Sequence, residues 1–264
     1  MLKVMRKTLA KDKQLEQRFK DGFVQMLGTH LVNSPYYVEY EYMPEGNLKE
    51  YMKNFREKHG RCFTPIEATE IILQLAEKMA LPHTLPDFIV HRDLKPENIL
   101  VYRSEPYPHP PQLKIGDFGI GKVSLAASAM DGEYLKDYAK DFNFCSRAYA
   151  SYQQSQDPSR GVANDDVYAL AVILNELITG EVPPRRGDSW RELLSKKGMT
   201  NDQINNLDEW LGGIEEKRPP NAAEMAERIR ELFPPLREQV HEDFKHITQL
   251  KKEGNDWQSP CLYH

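Results

Sequence analysis

A chain of 264 residues, 40% hydrophobic and 28% charged, buries a substantial core and fits one large domain or a small lobe joined to a larger one. Its formal net charge of −5 lacks the broad basic character that nucleic acid or an anionic membrane surface would demand. Three widely spaced cysteines, Cys62, Cys145 and Cys261, with no C-x-x-C pair, argue against a zinc site and a disulfide framework, and place the chain in a reducing, cytoplasmic compartment.

The opening "MLKVMRKTLA" alternates apolar and polar residues like a half-buried strand, so the chain is expected to begin inside a domain. Lys11, Asp12 and Lys13 interrupt any signal-peptide core, and no apolar run is long enough to span a bilayer. In "KQLEQRFKDGFVQML", Leu15, Phe19, Phe23 and Met26 share one helical face. "SPYYVEYEYM" reads as a strand entering a linker near 42–46, and "PEGNLKEYM" begins a helix capped by Asn47.

"TPIEATEIILQLAEKMAL" starts a buried helix, with Thr64 as N-cap, Pro65 in the first helical position and Glu67 as reciprocal capping partner. "DFIVHRDLKPENILVY" places two short β-rich runs around a polar loop. "SEPYPHPP" reads as an exposed extended loop, and "PQLKIGDFGIG" as a strand ending in a glycine-containing turn. Residues 121–162 show weak periodicity and read as a long mobile surface segment.

In "NDDVYALAVILNELITG", Val167, Leu170, Ala171, Leu174, Leu177 and Ile178 form a broad apolar stripe that Gly180 ends. Further helices are expected near 202–213 and 221–232, the last capped by Asn221 with Glu224 three residues on. A charged tail follows from Pro234 to His264. The order predicts a small strand-bearing lobe, a linker, and a mainly helical lobe, with a cleft between them.

The chemistry concentrates in "HRDLKPEN". An aspartate, Asp93, can accept a hydroxyl proton; Lys95 can stabilise transferring phosphoryl oxygens; the amide oxygen of Asn98 can ligate magnesium. Asp117, before Phe118 and Gly119, offers a second hard oxygen donor at a turn. In-line phosphoryl transfer chiefly needs positioning and charge neutralisation, which this set supplies.

These motifs resemble the catalytic loop and magnesium loop of eukaryotic-type Ser/Thr protein kinases of the kind also found in bacteria. The resemblance runs from about Leu2 to Leu232 and implies an α+β, bilobal protein-kinase-like fold. It divides the chain into a reduced β-rich N-lobe over 1–43, a mainly helical C-lobe over 44–233, and the tail over 234–264. It implies Asp93 as catalytic base, Lys95 as phosphate-contacting lysine, Asn98 and Asp117 as magnesium ligands, and Arg92 as partner of a phosphorylated activation segment. Glu41 and Met43 fall on the adenine-binding linker, with Tyr40 as gatekeeper, and Lys3 on the ATP-phosphate lysine. Ser146 stands for the threonine that steadies the catalytic Asp and Lys. Asp166 braces the catalytic loop from below, and Arg218 pairs with the end of the activation segment. The implied cofactors are ATP and Mg2+, and the implied partner is a protein substrate bearing Ser or Thr; oligomeric state stays open.

The sequence departs from that pattern at several points. Tyr152 and Gln153 replace Pro and Glu, leaving Gln153 to meet Arg218 without the charge. No Gly-rich phosphate cover precedes Lys3, and Gly22 occupies the position of the helix glutamate that pairs with it. Two further readings therefore stand beside the protein kinase: a pseudokinase or regulatory binding module, and a small-molecule phosphotransferase.

Overall fold

A computed structural model describes residues 13–30, 35, 37–85, 88–103, 110–117, 147–157 and 160–233. The opening "MLKVMRKTLA", residues 104–109 of the extended loop, residues 121–146 of the segment read as mobile, and the charged tail lie outside the described residues.

Helix α1 (Lys13–Gly22) ends sooner than its apolar spacing suggested. Gly22 is a weak helix former, and beyond it the chain is drawn into pairing: Phe23 bridges to Ile115, and Val24 N–H donates to Ile115 O at 2.9 Å. Phe19 still stacks on Phe23 at 4.4 Å, but Met26 opens a strand instead of extending the helical face. Strands β1 (Met26–His30) and β2 (Tyr37–Tyr40) pair antiparallel, with Met26 opposite Tyr40 and His30 opposite Tyr37.

The two caps expected in the next helices are present in full. In α2 (Leu48–His59), Asn47 accepts from Glu50 N while the Glu50 carboxylate accepts from Asn47 N, and Gly60 closes the helix in a left-handed conformation. In α3 (Pro65–Thr84), Thr64 and Glu67 exchange the same pair of bonds. The Glu67 carboxylate also receives Arg61 at 2.7 and 2.9 Å. Ile89 and Val90 form no strand; they are buried, and Ile89 N–H donates to Pro82 O, so burial rather than sheet pairing accounts for their apolar character.

A single 3-10 turn (Pro96–Asn98) leads into β3 (Ile99–Arg103), which pairs antiparallel with β4 (Gln112–Ile115). Residues 147–157, inside the stretch read as irregular, hold the short helix α4 (Tyr152–Gln156) with Ser151 as its cap. Helix α5 (Ala163–Thr179) is buried on nearly every side and stops at Gly180, as its stripe predicted. Its buried Asn175 is satisfied by Trp190 Nε1–H and the carbonyl of Glu181. Helices α6 (Asp188–Lys196), α7 (Asn201–Trp210) and α8 (Ala222–Leu232) complete the described residues, and Asn221 accepts from Glu224 N at the last cap.

One continuous hydrophobic core runs from Phe23 to Phe233, with α3 and α8 packed together and α3 packed on α5. Strands β1 and β2 form a two-stranded sheet of their own, while α1 packs on β4 and α3. Among the described residues no helix is long and apolar enough to cross a membrane.

Candidate active site

The site is built outward from Asp166, in the first turn of α5 and fully buried. Its carboxylate accepts from His91 N at 2.6 Å, from Arg92 N at 2.8 Å, and from His83 Nε2 at 3.1 Å. His83 Nδ1 accepts from Ala222 N, so its proton sits on Nε2 and points at Asp166. Burial pushes the Asp166 carboxyl up, but the His83 hydrogen bond and the attraction of His83 and His91 outweigh it and hold Asp166 below its ordinary range.

His91 continues the chain of contacts. Burial pushes its imidazole down, toward the neutral form. Nε2–H donates to Gly116 O at 2.8 Å, which leaves Nδ1 to accept from Asp93 N at 3.3 Å. Arg92 has φ 69° and Asp117 φ 49°, the two non-glycine residues in the left-handed region among those described. Such conformations cost about 1–3 kcal/mol each and persist where surrounding contacts over-determine them.

Two side chains converge on the Asp93 carboxylate. Lys95 Nζ lies 3.2 Å from Asp93 Oδ2, and Asn98 Nδ2 donates to the same oxygen at 3.2 Å and to Asp93 O at 2.8 Å. Gly116 N–H donates to Asn98 O at 2.8 Å, which brings the adjoining Asp117 alongside. The amide nitrogen of Asn98 is spent on Asp93, so its oxygen is left with the Asp117 carboxylate as a pair of hard donors. That pair fits magnesium, which takes few protein ligands and completes its shell with phosphate and water. Among the described residues no cluster of three or more His, Cys, Asp or Glu side chains is arranged to hold a metal.

The linker sits at the end of β2. Glu41 N–H donates to Gln25 O, and its carboxylate accepts from Gln25 N and from Lys114 Nζ at 2.7 and 2.9 Å. Lys114, on β4, thereby ties the linker to the larger lobe, a link the sequence did not announce. Met43 is 8% exposed, and among the described residues its N–H has no hydrogen-bond partner. The charge of Asp117 reaches Tyr40, whose phenol is pushed up by burial first and by that carboxylate second.

Below the loop, Arg218 is 2% exposed. It donates from Nη2 to Gln153 Oε1 at 2.7 Å, the contact expected without the charge, and to Gly212 O at 3.2 Å. Among the described residues its Nε and Nη1 have no hydrogen-bond partner, although Nη1 lies 3.8 Å from Asp165 Oδ1. Asp165 also receives Ser151 Oγ–H at 2.5 Å and Arg160 Nε–H at 2.7 Å. This network was missed because Asp165 reads in sequence as one more acid in a helix first turn. Lys3, Phe118, Gly119 and Ser146 lie outside the described residues.

A buried aspartate bracing a strained loop, with a carboxylate, a lysine, an amide and a second carboxylate gathered above it, defines a phosphoryl-transfer type of site. The protein kinase domain model matches residues 6–247, and the chain belongs to that family. It is 27% identical over 225 residues to Serine/threonine-protein kinase VIK of Arabidopsis thaliana, covering 81% of this chain and 48% of that protein. It is 31% identical over 150 residues to a probable serine/threonine-protein kinase PknB of Lactococcus lactis, covering 57% and 20%. To Serine/threonine-protein kinase PrkC of Bacillus subtilis it is 32% identical over 148 residues, covering 56% and 19%. The chain thus spans no more than about half the length of these relatives.

Proposed function

We propose that this chain transfers the γ-phosphoryl group of ATP to Ser or Thr hydroxyls of proteins. The observation that carries the reading is the convergence of Lys95 and Asn98 on the Asp93 carboxylate, with Asp117 delivered beside them by the Gly116–Asn98 hydrogen bond. The names of the relatives support a Ser/Thr specificity, as does Lys95.

Asp93 Oδ2 accepts the proton of the attacking hydroxyl, and Lys95 leaves it to neutralise charge on the moving phosphoryl oxygens. Asn98 and Asp117 hold the metal, and Mg-ATP, when bound, supplies the transferable phosphoryl group with its charge neutralised. The unpartnered Met43 N–H and the Glu41 carbonyl are the linker groups for the nucleobase. Lys3 serves the phosphates, and Phe118 and Gly119 shape the turn that carries Asp117. Ser146 steadies Asp93 and Lys95, and Arg92 receives a phosphate from the activation segment. The division into N-lobe, C-lobe and tail at residues 43 and 233 belongs to the same reading.

The test offers Mg-ATP and a mixed pool of Ser, Thr and Tyr peptides. Phosphate is expected on Ser and Thr only, and both EDTA and Asp117→Asn are expected to abolish it. Transfer to Tyr alone, or transfer that survives EDTA, would overturn the reading.

A second reading, a regulatory module that binds nucleotide without turnover, has one observation in its favour. Gly22 ends α1 against the long helix, where a side chain would meet Lys78 Cγ at 3.3 Å. Nucleotide binding by calorimetry with no phosphate transferred would select it.

A further inference from the structure

We propose that Gln154 is a positioning residue for Asp93, holding the carbonyl oxygen of the Arg92–Asp93 peptide while Asp166 holds the N–H of the peptide before it. The inference rests on the reading of Asp93 as the base.

Arg92 holds a left-handed φ of 69°, and a non-glycine residue relieves that geometry most simply by rotating an adjoining peptide plane. Three polar backbone groups beside it have named partners. Arg92 N–H goes to Asp166 Oδ1 at 2.8 Å, and the N–H of the next peptide goes from Asp93 to His91 Nδ1 at 3.3 Å. The remaining group is the Arg92 carbonyl, and it accepts from Gln154 Nε2 at 2.7 Å. The peptide joining Arg92 to Asp93 is therefore fixed at its oxygen by Gln154 and at its N–H by His91.

Gln154 is 7% exposed, and an amide is costly to bury without such a use. Its own footing is firm. Its N–H donates to Ser151 Oγ at 3.0 Å, and Ser151 Oγ–H donates to Asp165 Oδ1 at 2.5 Å. Asp165 is held in turn by Arg160, which also reaches Glu215 at 2.7 Å. Asp165 adjoins Asp166, so one helical turn of α5 supports both sides of the clamp. The neighbouring Gln153 anchors the same short helix on Arg218.

The experiment compares wild type with Gln154→Met and Gln154→Glu, which keep the side-chain size and lose the donor. Steady-state kinetics are read with thermal unfolding and with hydrogen–deuterium exchange over residues 88–99. A kcat loss of roughly 10–100-fold is expected, with the KM for ATP unchanged within about twofold, because a small displacement of a reacting group acts on the transition state. Amides of 91–94 are expected to exchange faster, while the core of α3 and α5 keeps its protection. Unchanged exchange at 91–94 in both variants, or a rise in peptide KM with kcat intact, would overturn the clamp. If wild type turns over no substrate but exchange at 91–94 still quickens in the variants, the clamp stands and the assignment of Asp93 as base falls.

Discussion

The loop around Asp93 and the paired strands β1 and β2 are built on different principles. Each backbone N–H of residues 91–93 ends on a named buried partner: Asp166 twice and His91 once. Among the described residues, the strands instead form a two-stranded ribbon, with Leu27 68% exposed. Its described ties to β4 are the Val24–Ile115 backbone hydrogen bond just before β1 and the Lys114–Glu41 pair at the linker. The groups that would do chemistry sit where geometry is over-determined, and the lobe that would cover nucleotide is the lightly anchored one. Changes at the first region should therefore be costly and changes at the second slight.

The largest effect is expected at Asp166→Ala. It strips acceptors from His83 Nε2–H and from the amides of His91 and Arg92, and removing one member of a buried charged set costs about 3–5 kcal/mol. Urea unfolding measures it; a loss under about 1 kcal/mol would show that the loop is not held from below.

Acid tests the buried carboxylates of the larger lobe. Arg61 and Thr64 overcome burial to hold Glu67 at about 2, from an ordinary 4.5. Asp166 is depressed as well. A depressed carboxyl stabilises the fold above its unfolded value and loses that contribution as pH falls through the folded one. Thermal midpoints should therefore fall as pH drops from about 4.5 toward 2, and Glu67→Gln should flatten that limb. An unchanged limb would remove Glu67 from the account.

A smaller gain is expected from Gln153→Glu. It would give the buried Arg218 a charged partner in place of an amide, worth about 1 kcal/mol, or a rise of roughly 2–4 °C in melting temperature. A fall would mean that Asp165 already satisfies the guanidinium. At the foot of the scale, Leu27→Thr on the open strand should change stability by less than about 0.5 kcal/mol. A loss above about 1 kcal/mol would mean that the ribbon surface is covered.

Local signals carried well from sequence to structure. The caps at Asn47 and Thr64 lie within three residues of their partners, and the stripe of α5 needs only its period. The placement of Asp166 under the loop and the Gln153–Arg218 contact were legible through the family resemblance. The end of α1 was not, because the pairing of Phe23 with Ile115 across the chain overrode a helical spacing. Ile89 and Val90 misled because a short apolar run looks alike whether paired or merely buried. The Ser151, Arg160 and Asp165 network, and the reach of Gln154 to Arg92, join residues far apart in sequence with no period to announce them.

The most direct test of the proposed chemistry is phosphate transfer from Mg-ATP to a Ser/Thr peptide by wild type and by Asp93→Asn at matched concentrations. The substitution keeps the side-chain shape and removes the proton acceptor, so the rate should fall by about 10²–10⁴-fold while the folded state keeps its melting temperature. Equal rates from the two proteins would contradict the assignment of Asp93 as the base.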